Sequence, residues 1–336
     1  MRQLVPQGAS NKKARFGSLF FLSFLVLLII LLFVFKDPVS NFLNDSLVNK
    51  SIPFSSLSSD SAHSLQNKSV LQPVPQVESL DVYLSENATI HSKKFPYILR
   101  AQTDHLIIST QENISRHFYE KPRTIQYYDE PPTLRDFMMK NIDNELQKKH
   151  LLSVVSDIQS RSSNASQQAR IAISFVQLIP YDLDSYNLNN LHGRFAYEVL
   201  HDAKGVCGEK SELLAFLLRE LGFGVAIFNF EEENHQALGI SCPAKYDYLD
   251  SGYCFVETTQ PTIITSVPQN YVGVGNLTST AEIIEIASGK SLAGVSEEYE
   301  DAKDLQFLQQ KGPVLEKEEY DAWVLLVNKY GLKVSS

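Results

Sequence analysis

Between Lys204 and Gly222 the chain runs Lys-Gly-Val-Cys-Gly-Glu-Lys-Ser, then Glu-Leu-Leu-Ala-Phe-Leu-Leu-Arg-Glu-Leu-Gly. This is a glycine-bracketed turn that delivers Cys207 to the start of a helix. Leu214, Leu217, Leu218 and Leu221 follow the i, i+3, i+4, i+7 pattern, and Leu213 and Phe216 widen that stripe until most sides of the helix are apolar. A helix of this kind must be buried, so the rest of the fold has to be built around it. Glu209 and Glu212 in the first turn and Arg219 in the last suit the helix dipole, and Gly222 is a natural C-terminal stop. A sulfur at the helix start faces unpaired backbone N–H groups, a position that suits a nucleophile. Taken alone, the stretch fits equally well a small core residue capping a core helix.

The chain has 336 residues, enough for one large or two modest domains, and 43% hydrophobic content fills a real core. Its net charge of −9 argues against nucleic acid as the main partner, because phosphate binding needs clustered positive charge. Three cysteines without a CxxC pair and eight scattered histidines give no zinc framework, and there is no glycine-rich phosphate loop. Neither a metal nor a cofactor is expected.

Phe16 to Phe35 carries no charge, which is long enough for one transmembrane helix. Arg2, Lys12, Lys13 and Arg15 precede it, so the positive-inside rule puts the N-terminus in the cytoplasm and the rest outside. No small-x-small site follows Phe35, which favours a retained anchor over a cleaved signal peptide. The next segment is rich in Ser, Asn, Gln and Pro and reads as a flexible stalk. The expected organisation is a cytoplasmic tail at 1–15, the membrane helix at 16–35, the stalk at 36–95 and a folded domain at 96–336. Asn44, Asn49, Asn67, Asn87, Asn113, Asn164 and Asn276 open N-x-S/T sequons, all on the expected outer side.

In the folded part, His105 to Thr110 and Thr124 to Tyr128 read as short strands, and Thr133 to about Ser156 as a largely helical run. Asn164 and Gln167 have capping-box spacing and open a helix striped by Ala172, Phe175, Val176 and Ile179. Arg194 to Leu200 reads as a short helix. Beyond Gly222 the period changes to two: strands at Gly224 to Phe230, His235 to Ser241, Tyr253 to Thr259 and Ala281 to Ile286. Two helices close the chain, the last with an apolar stripe of Tyr320, Trp323, Val324 and Val327.

Cys207 is followed by His235 and then Glu257, in the order helix start, strand, next strand. A thiol needs a base for its proton, and an imidazole needs a carboxylate to fix its tautomer. His235 and Glu257 share parity, so an antiparallel pair offers both from one face. His192 and His201 lie nearer the cysteine in sequence but not on that face. Glu231 to Glu233 reads as a solvated turn, with recruitment of a basic substrate as the sharper alternative. Asn234 either joins the site or shapes the hairpin.

Gly205-Val-Cys207-Gly-Glu-Lys-Ser211 with its leucine-rich helix, His235, and Phe255-Val-Glu257-Thr-Thr259 together resemble the transglutaminase-like superfamily. The resemblance covers about half the chain, chiefly Ser166 to Thr259. It implies an α+β, papain-like fold, with the Cys207 helix packed on an antiparallel sheet carrying His235 and Glu257. It further implies Cys207 as nucleophile, His235 as general base and acid, and Glu257 as orienting carboxylate, with acyl transfer on a peptide or protein amide through a thioester. The family more usually has aspartate in the third role, and Gln236 stands where an aromatic often follows the histidine. Tyr181 falls where it could line the cleft, with a packed core tyrosine as the other reading. The resemblance and the sequons together suggest a cell-envelope protein of archaeal type. A module that kept this fold as a binding scaffold without turnover is the competing expectation.

Cys242 and Cys254 raise a question of register. Both have even parity, so they lie on the face away from His235 and Glu257, and a disulfide there would spare Cys207 as the free thiol. Pairing His235 opposite Glu257 requires residue numbers summing to 492, whereas Cys242 opposite Cys254 requires 496. Both hold together only with a bulge or loop excursion near Pro243. The residues leave bonded and free cysteines equally open.

Overall fold

The computed structural model describes residues 88–120, 131–187, 193–266, 270–271 and 275–332. All belong to the unit Pro75–Ser336. The expected membrane helix, the stalk, the strand at Thr124 to Tyr128, His192, and the sequons at Asn44, Asn49, Asn67 and Asn87 lie outside the described residues. Among the described residues, no helix is long and apolar enough to cross a membrane.

The fold is α+β. A hairpin of β1 (Ile90–Leu99) and β2 (Gln102–Gln111) comes first and turns through Arg100 and Ala101, whose φ angles of 52° and 63° suit the twist of a two-residue hairpin. The boundary expected at 96 falls inside β1. Then follow α1 (Glu112–Glu120), α2 (Leu134–Ile142), α3 (Glu145–Arg161), α4 (Ala165–Leu178), α5 (Leu183–Asn187), α6 (Ala196–Asp202) and α7 (Cys207–Glu220). The single run expected from Thr133 is broken between α2 and α3. Asn144 accepts a hydrogen bond from the Leu146 N–H at 3.1 Å and starts a new helix there. Asn164 caps α4 by accepting from the Gln167 N–H at 3.1 Å.

A four-stranded antiparallel sheet follows in the order β5-β4-β3-β8: β3 is Val225–Phe230, β4 His235–Ser241, β5 Tyr253–Val256 and β8 Glu282–Ala287. Two short strands, β6 (Asn270–Tyr271) and β7 (Gly275–Asn276), pair separately. The chain closes with α8 (Ser296–Gln310) and α9 (Lys317–Tyr330).

The leucine-rich helix sits where its composition requires. Around α7 pack α2, α3, α4, α6, β3 and β4, and Leu213 through Leu218 are closed off from solvent. The inward face of the sheet gives Val225, Ile227, Leu238, Ile240, Cys254 and Val256 to the same core. Its other face carries a smaller aromatic cluster around Phe228, Phe230 and Phe255. The stripe expected on the last helix is a core face only in part: Tyr320 is exposed, Trp323 is half-buried against a small core cluster, and Leu326 is the buried position. Helix α9 packs chiefly on α8 and β1, and Leu326 joins a small core with Ile263.

Candidate active site

Four elements converge on the N-terminus of α7. Cys207 is its first residue, and its sulfur-bearing side chain is largely buried, with 8% of the residue exposed. The turn before it is fixed by Glu209, whose Oε2 accepts from the Val206 N–H at 2.9 Å and whose Oε1 accepts from the Arg194 N–H at 2.8 Å. Arg194 then reaches Asp182 at 2.7 Å, Asp202 at 3.1 Å and Glu209 at 3.2 Å. Burial opposes ionisation of Asp182, but donation from Ser185, Arg194 and Lys204 outweighs it and holds the carboxyl well below its usual range. Backbone bonds from Gly205 N–H to Pro180 and from Asp182 N–H to Gly205 strap the end of α4 to the same turn.

His235 opens β4 and Glu257 follows the last residue of β5. Their side chains meet with Nε2 3.0 Å from Oε2, both closed off from solvent. The observed register is Leu238 opposite Val256 and Ile240 opposite Cys254, residue numbers summing to 494. The pair is therefore diagonal, offset by two residues, and not directly opposite. The long glutamate side chain spans that diagonal. The other carboxylate oxygen of Glu257 accepts from the N–H groups of Thr258 at 2.9 Å and Thr259 at 2.8 Å, and from the Thr259 hydroxyl at 2.8 Å. Burial would raise its pKa, but His235 and the Thr259 donors outweigh this and lower it.

Burial likewise opposes charge on His235, yet its hydrogen bond to Glu257 and the nearby Cys207 sulfur hold its pKa up at about 9. The remaining ring nitrogen, Nδ1, makes no bond of full hydrogen-bond geometry, and the sulfur of Cys207 is the neighbour that supports the ring's protonated form. Phe230 stacks on the ring at 6.1 Å between centroids, supplying the aromatic neighbour that Gln236 does not.

Cys207 and His235 line one cleft of about 190 Å³, together with Val206, Gly208, Asn229, Asn234 and Gln236. Gln236 donates to Asn229 Oδ1 at 3.2 Å, and its own Oε1 lies 2.7 Å from where a Cβ on Gly208 would stand. Gly208 thus leaves room for a side-chain amide beside Cys207. Asn234 borders the cleft and takes a φ of 48° at the β3–β4 turn, where it shapes the hairpin. Tyr181 pairs through its backbone with Gly205, but its side chain is not among those lining the cleft. His201 sits in α6 against Thr110 and His91, away from the site.

Cys242 and Cys254 form a disulfide with Cα atoms 5.7 Å apart, and Cys207 is the free cysteine. This pair is also diagonal in the 494 register, so the bulge expected near Pro243 is not needed. The Cys242 N–H bonds to Gly252 O at 3.2 Å and continues the ladder unbroken. Asn164 and Asn276 are exposed and Asn113 is half-buried. Glu233 is not simply solvated: it accepts from the backbone and hydroxyls of Thr278 and Ser279 at 2.5–3.0 Å, which lowers its pKa to about 2.

Lys210 has a structural role that nothing in its sequence context marks. Fully buried in α7, its ammonium reaches the carbonyls of Ile179 at 2.6 Å, Thr259 at 3.3 Å and Gln177 at 3.4 Å. It ties the end of α4 and the Glu257-Thr258-Thr259 segment to the helix that carries Cys207. A lysine in a first helical turn carries no sequence signal for such burial. Among the described residues there is no cluster of His, Cys, Asp and Glu able to hold a metal ion. No family model matches the chain, and no curated protein matches it.

Proposed function

We propose that this protein is a cysteine acyl hydrolase or transferase of the transglutaminase-like, papain-like kind, acting on a peptide or protein amide outside the membrane that anchors it. The observation that carries this reading is the 3.0 Å His235–Glu257 contact, with the His235 ring sharing one cleft with Cys207. The Cys242–Cys254 disulfide supports an oxidising compartment.

In the reaction, Cys207 Sγ attacks the amide carbonyl and forms a C–S bond. The C–N bond then breaks, and the proton held on His235 passes to the departing amine. Water or a second amine attacks the thioester and gives its proton to His235; the C–S bond breaks, the acyl product leaves as acid or new amide, and Cys207 returns as thiolate beside the protonated ring. Glu257 holds the ring's tautomer and supports its charged form. The Cys207 N–H at the helix start is one donor to the developing oxyanion. The side-chain amides of Asn229 and Gln236, which line the same cleft, supply candidates for the second.

A binding scaffold without turnover remains the second reading because Cys207 is only 8% exposed and the cleft is small. Iodoacetamide separates the two. An activated thiol is alkylated well below pH 8 in the folded chain, and both Cys207→Ala and His235→Ala suppress that labelling. Labelling that requires unfolding overturns the enzymatic reading.

A further inference from the structure

Asn229 and Gln236 stand directly opposite one another on β3 and β4. Val225 and Ile227 share the inward face of β3 with Asn229, and Leu238 and Ile240 share that of β4 with Gln236. Each apolar stripe therefore ends on a carboxamide at the edge of the core. There the two amides line the cleft with Cys207 and Gly208, at the start of α7.

The two amides are turned in opposite senses. Gln236 Nε2 donates to Asn229 Oδ1 at 3.2 Å. Its other end, Oε1, faces the start of α7, 2.7 Å from where a Cβ on Gly208 would stand. An acceptor in that place suits the unpaired N–H groups of a helix start but repels a developing oxyanion. Asn229 presents the reverse. Its Oδ1 is occupied, while its Nδ2 makes no hydrogen bond among the described residues and is not closed off from solvent. A primary amide held by its oxygen keeps its two N–H donors pointing the other way, so they are aimed before substrate arrives.

We infer that Asn229 is a catalytic residue, the second oxyanion donor, and that Gln236 is a positioning residue that keeps Asn229 Nδ2 turned to the cleft. Both roles depend on the acyl transfer proposed above for Cys207. As Cys207 Sγ bonds to the carbonyl carbon, the C=O π pair moves onto oxygen, and the Cys207 N–H and Asn229 Nδ2 donate to it. When that pair returns, the C–N bond breaks and the amine leaves with the proton from His235. Neither oxyanion donor gives up its own proton, so both serve again when the thioester is attacked.

The test compares two reactions of the Cys207 sulfur in the full-length chain in detergent micelles. Iodoacetamide alkylates it by displacement at a saturated carbon, which forms no oxyanion. 4-Nitrophenyl acetate acylates it through a tetrahedral oxyanion and releases 4-nitrophenolate, with Cys207→Ala supplying the background. The readout is the ratio of acylation rate to alkylation rate, in which changes to the thiolate itself cancel. Asn229→Ala is expected to lower this ratio about 100-fold, the usual effect of losing one oxyanion donor. Gln236→Ala only frees the Asn229 amide to turn, so its ratio should fall less. Gln236→Glu should match Asn229→Ala, because a carboxylate there draws Nδ2 toward itself and turns Oδ1 to the cleft. If Asn229→Ala fails to fold, Asn229→Leu, of similar shape and without a donor, decides. A folded Asn229 variant with the wild-type ratio overturns the assignment while alkylation, and with it the enzymatic reading, stands. So does a fall in Gln236→Ala as large as that in Asn229→Ala, a Gln236→Glu ratio equal to the wild type, or a wild type that is alkylated but not acylated. A folded wild type that is not alkylated at all overturns the enzymatic reading and this assignment together.

Discussion

His235 Nε2 stands 3.0 Å from Glu257 Oε2, and neither side chain reaches solvent. Removing the carboxylate therefore leaves a buried ring without its counter-charge. Glu257→Ala is expected to lower the unfolding free energy by about 3–5 kcal/mol, read from urea titration. Glu257→Gln keeps the shape and loses the charge, so it should cost less stability while still slowing Cys207 alkylation near neutral pH at least tenfold. Unchanged alkylation in a folded Glu257→Gln protein would deny the carboxylate its role.

The same pair sets a pH window. The pKa of His235 is held at about 9, above the value of about 6.5 in an unfolded chain. Its stabilising contribution is thus complete below about pH 6.5 and is lost as pH rises through about 9. Glu257 is displaced downward, so its share is lost only as pH falls below the ordinary carboxylate range. Melting temperature should decline between pH 7 and 10 in the wild type, and more shallowly in His235→Gln.

Thiol counting checks the cysteine assignment. Unfolded without reductant, the chain should take up one alkyl group, at Cys207, and after reduction three. The disulfide joins residues 12 apart, and a closed loop of that size contributes about 3 kcal/mol, so reduction should lower the melting temperature.

Two glycines separate space from backbone crowding. A Cβ on Gly208 meets the end of the flexible Gln236 side chain at 2.7 Å, so Gly208→Ala should fold with a loss under about 1 kcal/mol while displacing the amide and slowing alkylation. A Cβ on Gly289 meets backbone atoms of Phe223 and Gly224 at 2.4–2.7 Å, where nothing can swing aside. Gly289→Ala should cost about 1–3 kcal/mol or more by thermal melt.

The Cys207 helix was legible because its apolar residues surround it and glycines punctuate both ends. The β3–β4 hairpin was legible from its period of two and the charged turn. The break at Asn144 was not, since one capping side chain decides it inside an otherwise helical pattern. Tyr320 misled because a stripe shows only that a helix could be covered, not how much protein is there to cover it. The arginine network at Arg194 and the burial of Lys210 depend on tertiary placement and leave no periodic trace. For β4 and β5, parity gave the face, but assuming directly opposite partners gave two registers, neither of them correct.

That shared diagonal has a mechanical result. Sliding β5 by two residues in one sense would bring Glu257 level with His235 and draw Cys254 away from Cys242; sliding it the other way would do the reverse. The ionic contact and the covalent bridge therefore pull on the strand in opposing directions, and each stops the travel that the other would allow.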